Sequence, residues 1–491
     1  MRVTIKIGPS VLCVSPRLPY EVALNLRESL KFRVPGYQFT SAYKFRGWDG
    51  YKFPFNMRQT APSGLYWRVK TFLEELEYEV VLEFVNKVDP VGDAEPSVSS
   101  FELKPFQVRA TKLAVKRKYG IISAPMRAGK TAILSAIIRR INQFPIVVIT
   151  KDCDLVIQTK KDIEEHTGLR VGSFYDSKYD AADIVVTHYA AIPPVFNAEK
   201  RKKVSEKTQS RNEELRNLIK STKVLLLDEC HLAYSPEARK FLHYFVSTGY
   251  KIGVSGTPIK DNVPLRDTES VIGPVFYKVK FDTLIKSNRI AQPIVHVYKL
   301  PEEWYTEQSK DYEYVYETDI VSNVKRNGFI ARVVSELRNK GKTSFIMVQK
   351  LDHGRELRNL IPGSFFVHGE INPETRAALY KNLQDKKLNC IIGTVGKVGL
   401  NIPKLDAVIN AEGLKSHVAT LQKMRSLTAA DGKTQGMIID FIDDDKFGHL
   451  SRHSKKRLME YTKIKGFIIK MKTVNENFFE VRSDKEDQKS V

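Results

Sequence analysis

The run Ala124-Pro125-Met126-Arg127-Ala128-Gly129-Lys130-Thr131 sets a lysine, a hydroxyl and a glycine in the order that suits a polyphosphate. Backbone N–H groups of such a loop surround phosphate oxygens, the Lys130 ammonium neutralises the outer ones, and the Thr131 hydroxyl ligates magnesium. Farther along, the apolar run Leu225 to Leu227 ends in Asp228-Glu229-Cys230-His231. A carboxylate pair at the end of a buried strand supplies what the loop lacks. Asp228 can hold the magnesium through water, and Glu229 can orient and deprotonate the attacking water for in-line phosphoryl transfer. The two motifs together predict a nucleoside triphosphatase. The loop departs from G-x-x-x-x-G-K-[ST] at its first glycine, which is Ala124, so Gly129 alone is left to permit close backbone approach.

These groups act together only if the surrounding elements converge. Ile121-Ile122-Ser123 reads as a buried strand before the loop and Ala132 to Ile141 as a helix after it, which turns an amide-rich helix N-terminus toward the anion. From about residue 101 the chain alternates short β-rich apolar runs with longer helical patterns, the signature of parallel α/β sheets. The first set comprises 120–123, 146–150, 184–187, 224–227 and 252–255; the second comprises 344–348, 365–367, 390–393, 407–410 and 437–441. Two similar sheets imply two tandem lobes. Only the first carries a phosphate loop, so the expected site lies in a cleft completed by the second.

The Gly-, Pro- and Ser-containing stretch from Val91 to Ser100 reads as a linker. The expected domains are a small N-terminal α+β domain over 1–100, a first lobe over 101–282, a second over 283–445 and a basic extension over 446–491. The polar stretch 195–222, with Glu199-Lys200-Arg201-Lys202-Lys203, reads as an insertion, a solvated helix or loop in preference to a dedicated DNA contact. The extension holds Arg452, Lys455, Lys456, Arg457, Lys463 and Lys465, which either track phosphates or form a solvated face.

Composition sets the partners. The 491 residues carry 79 Lys+Arg against 57 Asp+Glu, a net charge of +22, which favours a polyanion and makes nucleic acid the leading candidate. No apolar run approaches the roughly 18 residues needed to cross a bilayer and no apolar leader opens the chain, so the expectation is a cytoplasmic protein without membrane partners. Cys13, Cys153, Cys230 and Cys390 are scattered without metal-ligand spacing, so neither zinc nor a disulfide is expected.

Across 101–445 the order of motifs resembles that of the superfamily-two helicases, whose lobes are RecA-like. Phe106-Gln107, after Leu103-Lys104-Pro105, resembles the glutamine motif that reads adenine, which implies ATP and Mg2+ as cofactors. Thr150-Lys151 and Thr187-His188 resemble motifs that grip a nucleic-acid backbone. Ser255-Gly256-Thr257-Pro258 is similar to the motif that couples hydrolysis to movement, a role the resemblance extends to His231. In the second lobe His368-Gly369 with Arg376, and Thr394 with Gly399-Leu400-Asn401-Ile402-Pro403, match two more: His368 and Thr394 would contact DNA, Gly399 and Asn401 would couple. The closing pattern Q-x-x-G-R-x-x-R is eroded. The stretch Gln422-Lys423-Met424-Arg425-Ser426-Leu427-Thr428 lacks the glycine and one arginine, leaving Arg425 as the implied catalytic arginine finger and Gln422 as a coupling residue. Thr150, Thr187 and Thr394 all fall at carboxyl ends of predicted strands, where open α/β sheets bind ligands, although turn threonines satisfied within the fold occupy such positions too.

The segment Pro35-Gly36-Tyr37-x-Phe39 followed by Tyr43-Lys44-Phe45-x-Gly47-Trp48-Asp49-Gly50 resembles the N-terminal domain of phage UvsW-like DNA helicases. That likeness implies branched or forked DNA as partner: fork reversal, junction migration and D-loop or R-loop unwinding in recombination, repair or replication, in the cytoplasm of an infected bacterium. Lys44, Arg46 and Trp48 are its implied DNA contacts. Aromatics interleaved with cations suit base stacking and phosphate contact; alternating Tyr and Phe suit the core of a small sheet equally. Two rival functions remain open at this point, an RNA-directed helicase and a DNA-binding scaffold with a degraded ATPase.

Overall fold

The structure, a computed structural model, describes the chain apart from residues 126, 198–204, 234, 257, 259–264, 288, 307–308, 310, 395–404, 415–434, 446–447, 464–465, 476–480 and 484–491. Two compact units divide it, Met1–Val279 and Lys280–Val491.

The first unit is built on an eight-stranded sheet in the order 178–180, 171–175, 184–188, 146–150, 224–228, 250–255, 119–123, 275–278. Every pairing is parallel except that of the edge strand Lys178–Asp180. Ile146–Thr150 and Tyr119–Ser123 are buried along their whole length, as β-branched and apolar runs must be when helices cover both faces of a sheet. Because Val224–Asp228, Tyr250–Ser255 and Tyr119–Ser123 are neighbours, the turns leaving their carboxyl ends are forced together. In the expected insertion, Glu206–Ser221 is a helix that buries Leu215 and Ile219 and leaves much of its remaining surface in solvent.

The N-terminal segment forms a second sheet, in the order 60–62, 11–15, 2–7, 79–84, backed by helices Tyr20–Leu30 and Tyr66–Glu75. It shares a core with the first lobe. Tyr119, at the start of the lobe's own strand, packs among Val3, Ile5, Leu26, Tyr66 and Val69, and Tyr66 OH donates to Tyr119 O at 3.1 Å. Lys251 Nζ donates to Pro9 O at 2.8 Å, Asn86 Nδ2 donates to Thr248 O at 3.0 Å, and Arg68 pairs with Glu269. The expected linker holds no regular element, yet its Val98 and the following Leu103 are buried against Ala132 and Ala136. It lies along the lobe, which is why residues 1–100 belong to the same compact unit as the motor.

The second unit holds another eight-stranded sheet, in the order 365–367, 390–394, 344–348, 407–410, 435–442, 292–299, 468–474, 481–483, parallel but for the last pair. All five strands expected here are present. Three more come from outside the alternating pattern: Gln292–Lys299 and, from the stretch expected as a separate extension, Ile468–Val474, which pairs with it, and Val481–Ser483 at the edge. Residues 446–491 therefore contribute to the sheet of the second lobe. No described helix is long and apolar enough to cross a membrane.

Candidate nucleotide site and nucleic-acid contacts

Helix Lys130–Ile141 begins at Gly129, whose φ of 72° and ψ of 57° lie in the left-handed region. Space as well as torsion demands glycine there, since a Cβ would stand 2.6 Å from Gln107 Nε2. Gln107 is buried; its Nε2 donates to Ala128 O at 2.9 Å and its Oε1 accepts from Lys104 N at 2.9 Å. The glutamine thus braces the phosphate loop from the N-terminal turn of helix Pro105–Arg117. Ala124 is fully buried, and its N–H donates to Ser255 O at 2.9 Å. Its φ is not positive, so this backbone accepts the methyl group that replaces the first glycine. Thr131 follows Lys130 in the first helical turn and is partly buried; Pro125 O accepts from Ala128 N at 3.2 Å, and Arg127 takes a φ of 64°. Met126 lies outside the described residues.

Glu229 lies at the next turn, in a left-handed conformation with φ 47° and ψ 49°. A non-glycine residue held there is strained, and such strain collects at functional sites. Its N–H donates to Asp228 Oδ1 at 2.9 Å, and its carboxylate pairs with the Lys130 ammonium, which is 3.9 Å from Asp228. Ser255 Oγ donates to Glu229 Oε2 at 3.2 Å, while His231 Nδ1 lies 3.0 Å from Ser255 Oγ and 3.2 Å from Glu229 Oε2. Burial pushes the Glu229 pKa up, but the hydrogen bond to His231 and the charge of Lys130 outweigh it, holding the carboxyl well below the usual carboxylate range. Lys130, Asp228, Glu229, His231, Ser255 and Ala124 thus form one connected cluster.

The residues present fit magnesium and a triphosphate: the Lys130 ammonium at the N-terminus of its helix lies 3.9 Å from the hard oxygen of Asp228, and Thr131 is the next residue of that helical turn. No described group of His, Cys, Asp and Glu side chains has the arrangement of an all-protein metal cage.

The residues expected on nucleic acid are less uniform. Thr150 and Thr187 lie side by side at strand ends but are buried, with Thr150 Oγ1 donating to Thr187 O at 3.2 Å and Thr187 Oγ1 to Phe174 O at 2.8 Å. Their hydroxyls pin the loops, whereas the adjoining Lys151 is exposed. His188 Nε2 is 3.4 Å from Cys153 Sγ, and burial lowers its pKa. In the second unit Thr394 ends the strand Cys390–Thr394, and His368 O and Ile371 O accept from Arg376. In the N-terminal domain Lys44 and Arg46 are exposed, while the Trp48 indole N–H donates to Tyr51 O at 2.9 Å inside its own turn. Thr257, Gly399, Asn401, Gln422 and Arg425 lie outside the described residues.

One network was not legible beforehand. Just before residues 415–434, three backbone carbonyls are each held by a distant side chain: Ala411 O by Arg326 at 3.1 Å, Glu412 O by Tyr316 at 2.9 Å, and Leu414 O by Arg457 at 3.0 Å. Arg326 pairs with Asp443 at 2.8 Å and Arg457 with Asp440 at 3.1 Å, and all four side chains are buried. The sequence offers only Arg457 within a basic helix, which reads either as a phosphate track or as a solvated face. Only its partner, in the strand Gln435–Ile442, shows that it faces inward.

A phosphate loop, a strand-end carboxylate pair and two parallel-sheet units are the arrangement of a nucleotide-driven motor, and the motif order resembles that of the superfamily-two helicases. Residues 95–260 match the family described as "Type III restriction enzyme, res subunit", and residues 18–83 match "DNA helicase UvsW, N-terminal". The chain is similar to the ATP-dependent DNA helicase uvsW of Enterobacteria phage T4, at 23% identity over 92% of this chain and 95% of that protein. The crystal structure of T4 UvsW aligns over 96% of this chain and 100% of its own, at 19% identity and a TM-score of 0.46. A putative HsdR subunit fragment of a type I restriction enzyme from Vibrio vulnificus shares the fold with a TM-score of 0.55, at 15% identity over 76% of this chain and 69% of its own. The chain is accordingly an ATP-dependent DNA helicase that is similar to UvsW.

Proposed function

We propose that this helicase remodels branched DNA, with Mg-ATP held by the loop 124–131, Thr131 and Asp228. The observation that carries the branched substrate is the N-terminal segment 18–83, which matches the UvsW N-terminal family and is joined to the motor lobe through buried groups rather than a free linker.

Bound Mg-ATP would supply the electrophilic phosphoryl group and the charge of the metal. Lys130 is the group whose partner would change: it lies against Glu229, and it would leave that carboxylate to neutralise a bound phosphate. Glu229, relieved of that charge, gains proton affinity and becomes a better acceptor for the water proton. Ser255 and His231 keep its second oxygen fixed, so the carboxylate changes basicity without losing its aim. Gln107 responds to the loop it braces and, in this reading, also to adenine. Arg425 acts as the arginine finger from the second lobe, with Gly399, Asn401, Gln422 and Thr257 coupling closure to movement, while Lys151, His188, His368 and Thr394 hold the strand.

Strand release from forked DNA, matched linear DNA and a matched RNA fork, each with ATP and Mg2+, tests the proposal. Preference for forked over linear DNA supports it. Equal activity on linear DNA removes the branch specificity, preference for the RNA fork favours the RNA-directed rival, and absence of DNA-stimulated phosphate release favours the scaffold.

A further inference from the structure

The helix Ser41–Arg46 of the N-terminal domain contains no buried residue. Around it Phe39 keeps 80% and Phe45 83% of their surface in solvent, and Tyr43 is exposed as well. Single exposed apolar side chains are ordinary on a protein surface. Three aromatics within residues 39–45, on the turn Tyr37–Phe39 and the helix Ser41–Arg46, neither of which buries a residue, mark an interaction site.

The protrusion is held in shape. Thr40 Oγ1 accepts from Tyr43 N at 3.3 Å, Gly47 closes the helix with a φ of 64°, and Trp48 N donates to Ala42 O at 3.2 Å. Tyr37 fills the space above Gly50 and meets Tyr43 edge-on at 5.1 Å, while the Arg33 guanidinium lies 4.4 Å from the centre of its ring. Tyr37 and Trp48 therefore serve the element itself. Phe39 and Phe45 are left facing outward. Behind them the domain is fixed to the first lobe by Tyr66, Lys251 and the Arg68–Glu269 pair, so the protrusion travels with that lobe.

We infer that Phe39 and Phe45 are a strand-separating contact, stacking on bases at a duplex branch point while Lys44 and Arg46 hold the adjoining phosphates. Charge selects the occupant: residues 31–60 contain Lys31, Arg33, Lys44, Arg46, Lys52 and Arg58 against the single carboxylate of Asp49. Bases offer π faces regardless of sequence, and the backbone offers the counter-charge. This inference rests on the branched-DNA reading above and adds where, and with which side chains, the duplex is opened.

The test uses the full chain carrying Phe39→Ala and Phe45→Ala together, a second variant with Trp at both positions, and a fork with 2-aminopurine at the branch. The wild type should raise 2-aminopurine fluorescence on binding. The alanine pair should lose that rise and at least about tenfold in fork unwinding, with single-strand-stimulated ATP turnover within about twofold of wild type, and the tryptophan pair should restore fork unwinding. Fork unwinding by the alanine pair at the wild-type rate overturns the inference, leaves the branched-DNA reading intact and hands the exposed rings to a protein partner. A parallel loss of single-strand-stimulated turnover also overturns it, since the rings would then serve stability. A wild type that does not prefer forks overturns both readings.

Discussion

The Ser255 hydroxyl donates a hydrogen bond to Glu229 Oε2 at 3.2 Å, and the same residue's carbonyl accepts from the N–H of Ala124. One residue at the end of the strand Tyr250–Ser255 thus touches both the carboxylate that handles water and the loop that handles phosphate. The second residue of that strand, Lys251, is buried under the N-terminal domain. A six-residue strand, too short and too well paired to bend freely, therefore spans the distance between the docked domain and the hydrolytic cluster.

Ser255→Ala removes the hydroxyl and keeps the carbonyl bond to the loop. Nucleotide affinity should stay near wild type, whereas strand release per ATP hydrolysed should fall several-fold as Glu229 loses its orientation between cycles. Parallel measurement of phosphate release and fork unwinding gives the ratio. A proportional fall in both rates would make Ser255 part of the chemistry and not of its coupling.

Lys130→Ala and Glu229→Gln should each lower steady-state hydrolysis at least about a hundredfold, the scale of losing a main electrostatic or acid–base contribution. They should differ in binding. The first loses affinity with its cation, while the second keeps the ammonium and removes the carboxylate that competes for it, so it should bind ATP at least as tightly as wild type. Fluorescent-nucleotide titration alongside phosphate release separates them.

At the loop, Gly129→Ala meets both the left-handed torsion and Gln107 Nε2, whereas Ala124→Gly relieves nothing. The first should lose most ATP affinity. The second should stay within about twofold of wild type in hydrolysis, with a slight fall in stability from the extra backbone freedom of glycine, on the order of 0.5–1 kcal/mol. A large gain in activity for Ala124→Gly would mean that the alanine had weakened the loop after all.

Both parallel sheets were legible in the sequence because buried parallel strands are continuous β-branched runs, and Ile146-Val147-Val148-Ile149 cannot be mistaken for a surface segment. The strands missed, such as Gln292–Lys299 and Ile468–Val474, carry His296, Lys470 and Lys472 among their apolar residues and lie toward the sheet edge, so their pattern is diluted. The phosphate loop and carboxylate pair were legible because their chemistry is local. What Gln107 and Thr150 do was not, since both hydroxyl and amide are taken up by carbonyls that only the fold brings near. Val91 to Ser100 has the composition of a joint, but composition carries no trace of Lys251 reaching Pro9 across more than two hundred residues.

Arg457 gives a stability prediction. Its guanidinium is buried against Asp440, with Tyr461 OH donating to the same carboxylate at 2.7 Å. Arg457→Gln leaves that carboxylate without its counter-charge, which typically lowers stability by about 3–5 kcal/mol. It also frees Leu414 O, at the entry to residues 415–434, so DNA-stimulated turnover should fall even at temperatures where the variant is folded. Denaturant titration followed by assays well below the melting temperature checks both parts. Unchanged turnover in the folded variant would dissociate the clamp from the proposed finger.

Lys251 makes the docked N-terminal domain sensitive to pH. Full burial pushes its ammonium down to about 7, from an ordinary value near 10.5 in the unfolded chain. Between those values the unfolded chain binds more protons than the folded one, so stability rises with pH through that window and is lowest below about 7, where the fold must bury the charge. The slope is at most about 1.4 kcal/mol per pH unit. Lys251→Met keeps the apolar stem and removes the titration, so it should exceed wild type in stability by its widest margin near pH 6.5, and the margin should shrink as pH rises to 8.5. Urea unfolding of both proteins at these two values isolates the lysine, because every other titrating group is common to both. A margin that does not change with pH would mean that the amine stays charged against Pro9 O and Ser63 Oγ, and that the interface solvates it.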